Sequence, residues 1–145
     1  TTPALSLQAN TATASGSIVV FHKGTGGECG SIGMTNLNAG SAVSYNTSSD
    51  YRLKENINTL ENGLERLNKL KPVSFDWKDT DESSEGFIAH EVQEIFSDCI
   101  TGEKDGERMQ GMDYGRITPL LVKAIQEQQE LIEDLQTQIN NLRGN

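Results

Sequence analysis

The side chains best placed to do chemistry share one stretch, Ser48-Ser-Asp-Tyr-Arg-Leu-Lys-Glu-Asn-Ile57. A Ser hydroxyl becomes a nucleophile when a base accepts its proton. A Lys can be that base when desolvation or neighbouring cations make it neutral. Ser49 and Lys54 are such a pair, with Asp50 and Arg52 between them. Taken alone, the stretch is unremarkable. Ser49 or Asp50 can cap a helix, Lys54 can be a solvated charge, and Asp50 with Arg52 can be an ordinary ion pair. Residues five apart lie on opposite faces of a strand and well off one face of a helix. Ser49 and Lys54 therefore meet only if the segment bends, or if Lys54 comes from a second chain.

Other candidates carry less. His90 and Glu91 could be read as an acid/base pair, but no second carboxylate or His stands at metal-ligand spacing, so no metal and no cofactor is expected. Gly24-Thr-Gly-Gly27 lacks the Gly-Lys-Ser/Thr ending of a phosphate loop. His22-Lys23 carries too little charge for a nucleic-acid site. Cys29 and Cys99 do not make a disulfide framework, and both are expected to be buried and inert.

The elements that must position these residues follow from composition and pattern. The 145 residues leave room for one ordinary domain, or a small domain with an appendage. Hydrophobic content is 34% and mean hydropathy −0.51, so a lone chain buries a modest core and subunits are expected to complete one another. Residues 1–48 hold one Lys and one Glu; residues 49–145 hold 11 Lys and Arg against 20 Asp and Glu, and so carry the whole net charge of −9. That acidic balance argues against binding nucleic-acid backbones. No apolar run approaches the roughly 20 residues of a membrane span. No positively charged region precedes an apolar stretch, so no signal peptide is expected. The start at Thr1-Thr2-Pro3 suggests a fragment of a longer chain.

Residues 1–48 hold seven of the 14 glycines. Apolar runs at 17–21, 30–34 and 42–45 are separated by Gly-rich turns at 24–27 and 36–40, which predicts short strands. Such strands are stabilised by pairing and stacking against copies of themselves in a fibrous β-structure. Beyond the charge break the pattern is mixed. Leu60, Leu64 and Leu67 fall at helical spacing until Pro72 forces the chain out of helix. Val73, Phe75 and Trp77 alternate with polar residues, as in a strand with one buried face. Residues 79–85 read as an acidic loop, 86–89 as a buried strand and 90–96 as a short helix. Asp105-Gly106 signals a protruding hairpin around 100–112.

The last element is the clearest. Thr118 and Pro119 make an N-cap and first-position pair. Leu121, Ile125, Gln128, Ile132, Leu135, Ile139 and Leu142 then recur at alternating steps of four and three. This heptad seam is expected to bury itself against copies of the same helix. By the heptad rule, Ile at one core position and Leu at the other leave a dimer or a trimer, leaning to a dimer, with Gln128 blurring the preference.

The stretch Ser49-Asp-Tyr-Arg-Leu-Lys-Glu-Asn-Ile57 closely resembles the entry motif of the intramolecular chaperone domain of phage tail fibres and tailspikes, the S74 peptidase family. Lys71-Pro-Val-Ser-Phe-Asp-Trp77 resembles the family's Pro-containing strand. Gly86-Phe-Ile-Ala-His-Glu-Val-Gln93 is similar to its Gly-Phe-Ile-Ala-Gln-Glu-Val block, with His90 where Gln is usual. Residues 114–129 resemble its terminal helix. The likeness covers about 49–142, with four motifs in order.

The resemblance implies an α+β homotrimer. Residues 1–48 would be the end of a β-rich stalk. Residues 49–145 would be a chaperone domain that ends in a three-helix coiled coil over 118–143. It implies a cut between Ser48 and Ser49, with Ser49 as nucleophile and Lys54 as base; Asp50 and Arg52 would orient the pair. Since Ser49 follows the bond, its oxygen could attack the Ser48 carbonyl in an N→O shift, from its own chain or a neighbour's. The implied partners are the chain itself and the upstream stalk, with no nucleic acid and no membrane. The implied setting is a virion tail fibre or spike precursor, whose chaperone acts in the host bacterial cytoplasm during assembly. A second reading is a permanent trimeric fibre tip that binds a host receptor without cutting. A third, a eukaryotic membrane-bound regulator, would need a membrane span or a basic DNA-binding segment.

Overall fold

A computed structural model describes residues 16–24, 27–35 and 42–144. The predicted turns at 24–27 and 36–40 lie partly or wholly outside the described residues. The fold is mixed α and β, in two compact units, Thr1–Ile57 and Asn58–Asn145.

The first unit contains three antiparallel strands, β1 (Gly16–His22), β2 (Glu28–Thr35) and β3 (Ala42–Thr47), with β2 in the middle. The three apolar runs of the sequence fall on these strands. Bulges interrupt the β1–β2 ladder between Ser17 and Val19 and between Phe21 and His22, whereas β2–β3 runs unbroken from Gly30↔Thr47 to Thr35↔Ala42. Gly30 is buried in this ladder, and a Cβ there would stand 2.7 Å from the Asn46 carbonyl oxygen. The sheet closes little apolar surface of its own: Val20, Phe21, Val43 and Tyr45 are all exposed.

The second unit has a core. Leu70, Val92, Cys99, Ile117 and Leu120 are buried together, with Phe87, Ile95 and Phe96 packed against them. The helical turn ends at Leu67, five residues before Pro72 rather than at it, and β4 (Val73–Asp76) pairs with β5 (Ser83–Gly86). The strand expected at 86–89 thus lies three residues earlier, inside the acidic stretch. Its backbone pairs with β4 whatever its side chains are. Trp77 lies just past β4 and is exposed, packed edge-on against Phe75 at 5.1 Å, because the chain turns there: Asp81 N donates to Trp77 O at 2.8 Å. The helix α1 (Gly63–Leu67) is shorter than the Leu60–Leu67 spacing suggests, and α2 (Ala89–Gln93) covers the first part of the expected 90–96 helix. The hairpin at 100–112 is present as β6 (Ile100–Thr101) and β7 (Gly111–Met112), joined by an exposed loop in which Asp105 has a φ of 58°.

The helix α3 (Thr118–Arg143) is 26 residues, roughly 39 Å long. Thr118 is not its cap. A 3-10 turn at Tyr114–Ile117, capped by the Asp113 carboxylate on Gly115 N, runs straight into it, so Ile117 at the junction is already helical. Leu120 and Ala124 on its first turns are buried. Gly63 of α1 approaches so closely that a Cβ would meet Ala124 N at 2.8 Å. The Glu127 carboxylate accepts from Gly63 N at 3.2 Å and Leu64 N at 2.7 Å. It satisfies the orphan donors of α1, which Asn62, in the left-handed conformation, does not cap. Those backbone hydrogen bonds, that of Leu64 first, hold the Glu127 carboxyl below its ordinary range.

One further expectation needs correction. Cys99 is buried, and burial pushes its thiol up, but Cys29 is exposed and its thiol only donates to Phe21 O at 3.2 Å. The heptad residues Leu121, Ile125, Ile132, Leu135, Ile139 and Leu142 are all exposed on the single chain.

Candidate active site

The end of β3 leads directly into the candidate residues. Ser48 continues the β2–β3 pairing by one step: its N–H donates to Cys29 O at 3.2 Å, and its hydroxyl donates to Glu28 O at 3.0 Å. Beyond it the chain leaves the sheet. Asp50 is extended and caps a single 3-10 turn, Tyr51–Leu53, by accepting from Arg52 N at 2.9 Å. Asp and Asn side chains favour this role because their oxygens reach a backbone donor two residues on. Lys54 closes the turn, its N–H donating to Tyr51 O at 3.1 Å, and is extended again.

This turn supplies the bend that the five-residue spacing requires. The Lys54 ammonium donates to Ser49 Oγ at 2.8 Å within one chain. Asp50 and Arg52 bond to each other, beside the pair. The Arg52 guanidinium grips the Asp50 carboxylate with two bonds, Nε–Oδ1 at 2.9 Å and Nη2–Oδ2 at 2.7 Å. That grip first, then the Arg52 backbone N–H and the Lys54 charge, holds the Asp50 carboxyl below its ordinary range; Asp50 in turn pushes the Arg52 guanidinium up. The ion pair staples the turn that brings Lys54 back to Ser49.

As it stands, the bond runs from Lys54 to Ser49. A base must take a proton rather than give one, so Lys54 has to be neutral to activate the hydroxyl. Ser49, Lys54 and the flanking residues are all exposed on the single chain, so the chain alone supplies little of the desolvation a Lys base needs. An open cleft of ≈ 640 Å³, lined by Glu28, Ser48, Asp50, Arg52 and Leu53, flanks the Ser48–Ser49 bond.

The backbone carbonyls of Glu28 and Cys29 are contacts that sequence reasoning missed. Nothing in the spacing of β2 and β3 sets their register, so no signal pointed to them. His90 is half-buried on α2. Among the described residues no group of three His, Cys, Asp or Glu could hold a metal ion, and no helix is long and apolar enough to cross a membrane.

Residues 49–101 match the family model Peptidase_S74, chaperone of endosialidase. The long tail fiber protein Gp37 of Escherichia phage AR1 is 33% identical over 87 residues, which cover 54% of this chain and 8% of that protein. The proteins of the same name from Enterobacteria phages M1 and Ox2 are each 35% identical over 97 residues, 61% of this chain and 39% of theirs. The chain thus spans well under half the length of these relatives. The matched segment begins at Ser49, where the chain leaves the sheet, and residues 49–101 are similar to the chaperone domain of the Peptidase_S74 family.

Proposed function

We propose that this chain is a segment of a phage tail fibre whose chaperone domain assembles three copies and is then released by cutting itself between Ser48 and Ser49. The observation that carries the reading is the 2.8 Å contact of Lys54 Nζ with Ser49 Oγ, at the first residue of the family match. Neutral Lys54 takes the Ser49 hydroxyl proton. The freed oxygen bonds to the Ser48 carbonyl carbon, the bond from that carbon to Ser49 N breaks, and the nitrogen takes the proton back from Lys54. Water then hydrolyses the resulting ester, leaving a Ser48 carboxylate and a Ser49 with a free amine and its hydroxyl restored. No cofactor or metal enters these steps.

Assembly is what makes the base competent. Lys54 is exposed in one chain, and neighbouring chains packed over the turn would strip its water. The exposed heptad face of α3 supports association of like helices, and the family's trimer outweighs the dimer lean of the heptad rule. The unfinished surface of the β1–β3 sheet supports a stalk in which three chains complete one another. The partners are then two further copies of the chain and the stalk upstream of it. The setting is a tail fibre precursor assembling in the host bacterial cytoplasm.

A denaturing gel tests the cut. The 145-residue chain is expected to give pieces of 48 and 97 residues, both absent in Ser49→Ala. The second reading, a permanent fibre tip that binds a host surface, draws on the likeness to long tail fiber proteins. It predicts one uncut wild-type band from a folded trimer.

A further inference from the structure

We infer that Ser48 is a positioning residue, and that completion of the β2–β3 sheet is a second condition for the cut, separate from assembly of the helices. The inference rests on the proposed autoproteolysis between Ser48 and Ser49.

The two sides of the Ser48–Ser49 bond are held by different elements. The Ser49 side belongs to the Asp50-capped turn, which sets the hydroxyl against Lys54. The Ser48 side belongs to the sheet. Its N–H bonds to Cys29 O, its hydroxyl bonds to Glu28 O, and the preceding residue, Thr47, pairs with Gly30. An attack within adjacent residues succeeds only when the carbonyl carbon is held at the oxygen in the reacting geometry, and loss of that orientation costs rate directly. With the last rung of β3 open, the Ser48 carbonyl is free to rotate away while Lys54 and Ser49 remain in contact. With it closed, the carbonyl is clamped between sheet and turn. The cut thus follows formation of the sheet end next to it.

Two sites test this without touching Ser49 or Lys54. Ser48→Ala removes the hydroxyl bond to Glu28 and leaves the backbone intact; Ser48→Thr keeps a hydroxyl. Gly30→Ala places a Cβ 2.7 Å from the Asn46 carbonyl oxygen and pries β3 from β2 one rung earlier. The full chain is refolded from denaturant, and association (light scattering) and release of the 97-residue piece (denaturing gel) are followed in parallel. Ser48→Ala is expected to associate like wild type but cut about 3- to 10-fold more slowly, the size of one lost hydrogen bond. Ser48→Thr should restore the rate, and Gly30→Ala should slow the cut further than Ser48→Ala. Should Gly30→Ala fail to associate, the Ser48 pair decides alone. Equal rates in wild type and Ser48→Ala, with the wild type cut, overturn the inference alone. A folded, associated wild-type chain that stays whole overturns the autoproteolysis reading as well.

Discussion

The two units of the molecule solve the burial problem differently. In the second unit Leu70, Val92, Cys99, Ile117 and Leu120 close a core within one chain, and the first turns of α3 contribute Leu120 and Ala124 to it. In the first unit Val20, Phe21, Val43 and Tyr45 are exposed on a sheet of three strands. Three strands need a buried apolar face to be stable alone. The contrast repeats inside α3: its start is packed against α1, whereas Ile132, Leu135, Ile139 and Leu142 face outward. One part closes a core within the single chain, and the other parts leave apolar side chains exposed on it.

The comparison is broken most completely at the helix. Ile132→Asp puts a charge in the exposed face, outside the core of its own chain. It is expected to abolish association and, with it, the cut, while the single-chain core moves by less than about 0.5 kcal/mol, as surface changes do. Light scattering and urea unfolding read the two effects separately. Undiminished cutting in a proven monomer would contradict the role given to assembly. Leu120→Ala attacks the other side of the contrast. It empties part of a core in which Leu120 is 1% exposed, and is expected to cost about 2–5 kcal/mol in urea unfolding. A cost under about 1 kcal/mol would mean that the core does not stand alone as described.

Glu127→Gln is the mildest and sharpens the comparison by pH. The folded carboxyl lies below its ordinary value of 4.5, so the charged cap stabilises α1 above that value and is lost as pH falls through the folded value. Gln keeps an acceptor but no charge. The variant should therefore unfold at lower urea than wild type at pH 7, with the gap closing on acidification below 4.5. A gap that persists at low pH would show that the carboxylate is not what holds α1.

Much of this was legible before any coordinates. The three apolar runs fall on β1–β3, because short apolar runs broken by Gly-rich turns read as strands. The heptad face of α3 is visible as spacing, and its exposure is what such a seam requires. The strand at Ser83–Gly86 was not legible, since its Ser-Ser-Glu-Gly sequence holds no apolar residue to mark a buried face. Nor was Glu127, which caps a helix 63 residues earlier in the chain. At the site, Ser49 and Lys54 could be named, and the spacing required a bend. The turn that provides it is written only in Asp50 as a cap, a signal as short as one residue. The Ser48 clamp depends on strand register, which no local pattern sets when the strands are short and Gly-rich.

The most direct measurement of the central claim is the mass and new N-terminus of the products from the purified, assembled chain. The account predicts two pieces whose masses sum to that of the chain plus one water, with Ser49 as the N-terminal residue of the larger. It also predicts that Lys54→Met leaves the assembled chain whole. A cut at any other bond, or cutting that survives loss of Ser49 or Lys54, would contradict it.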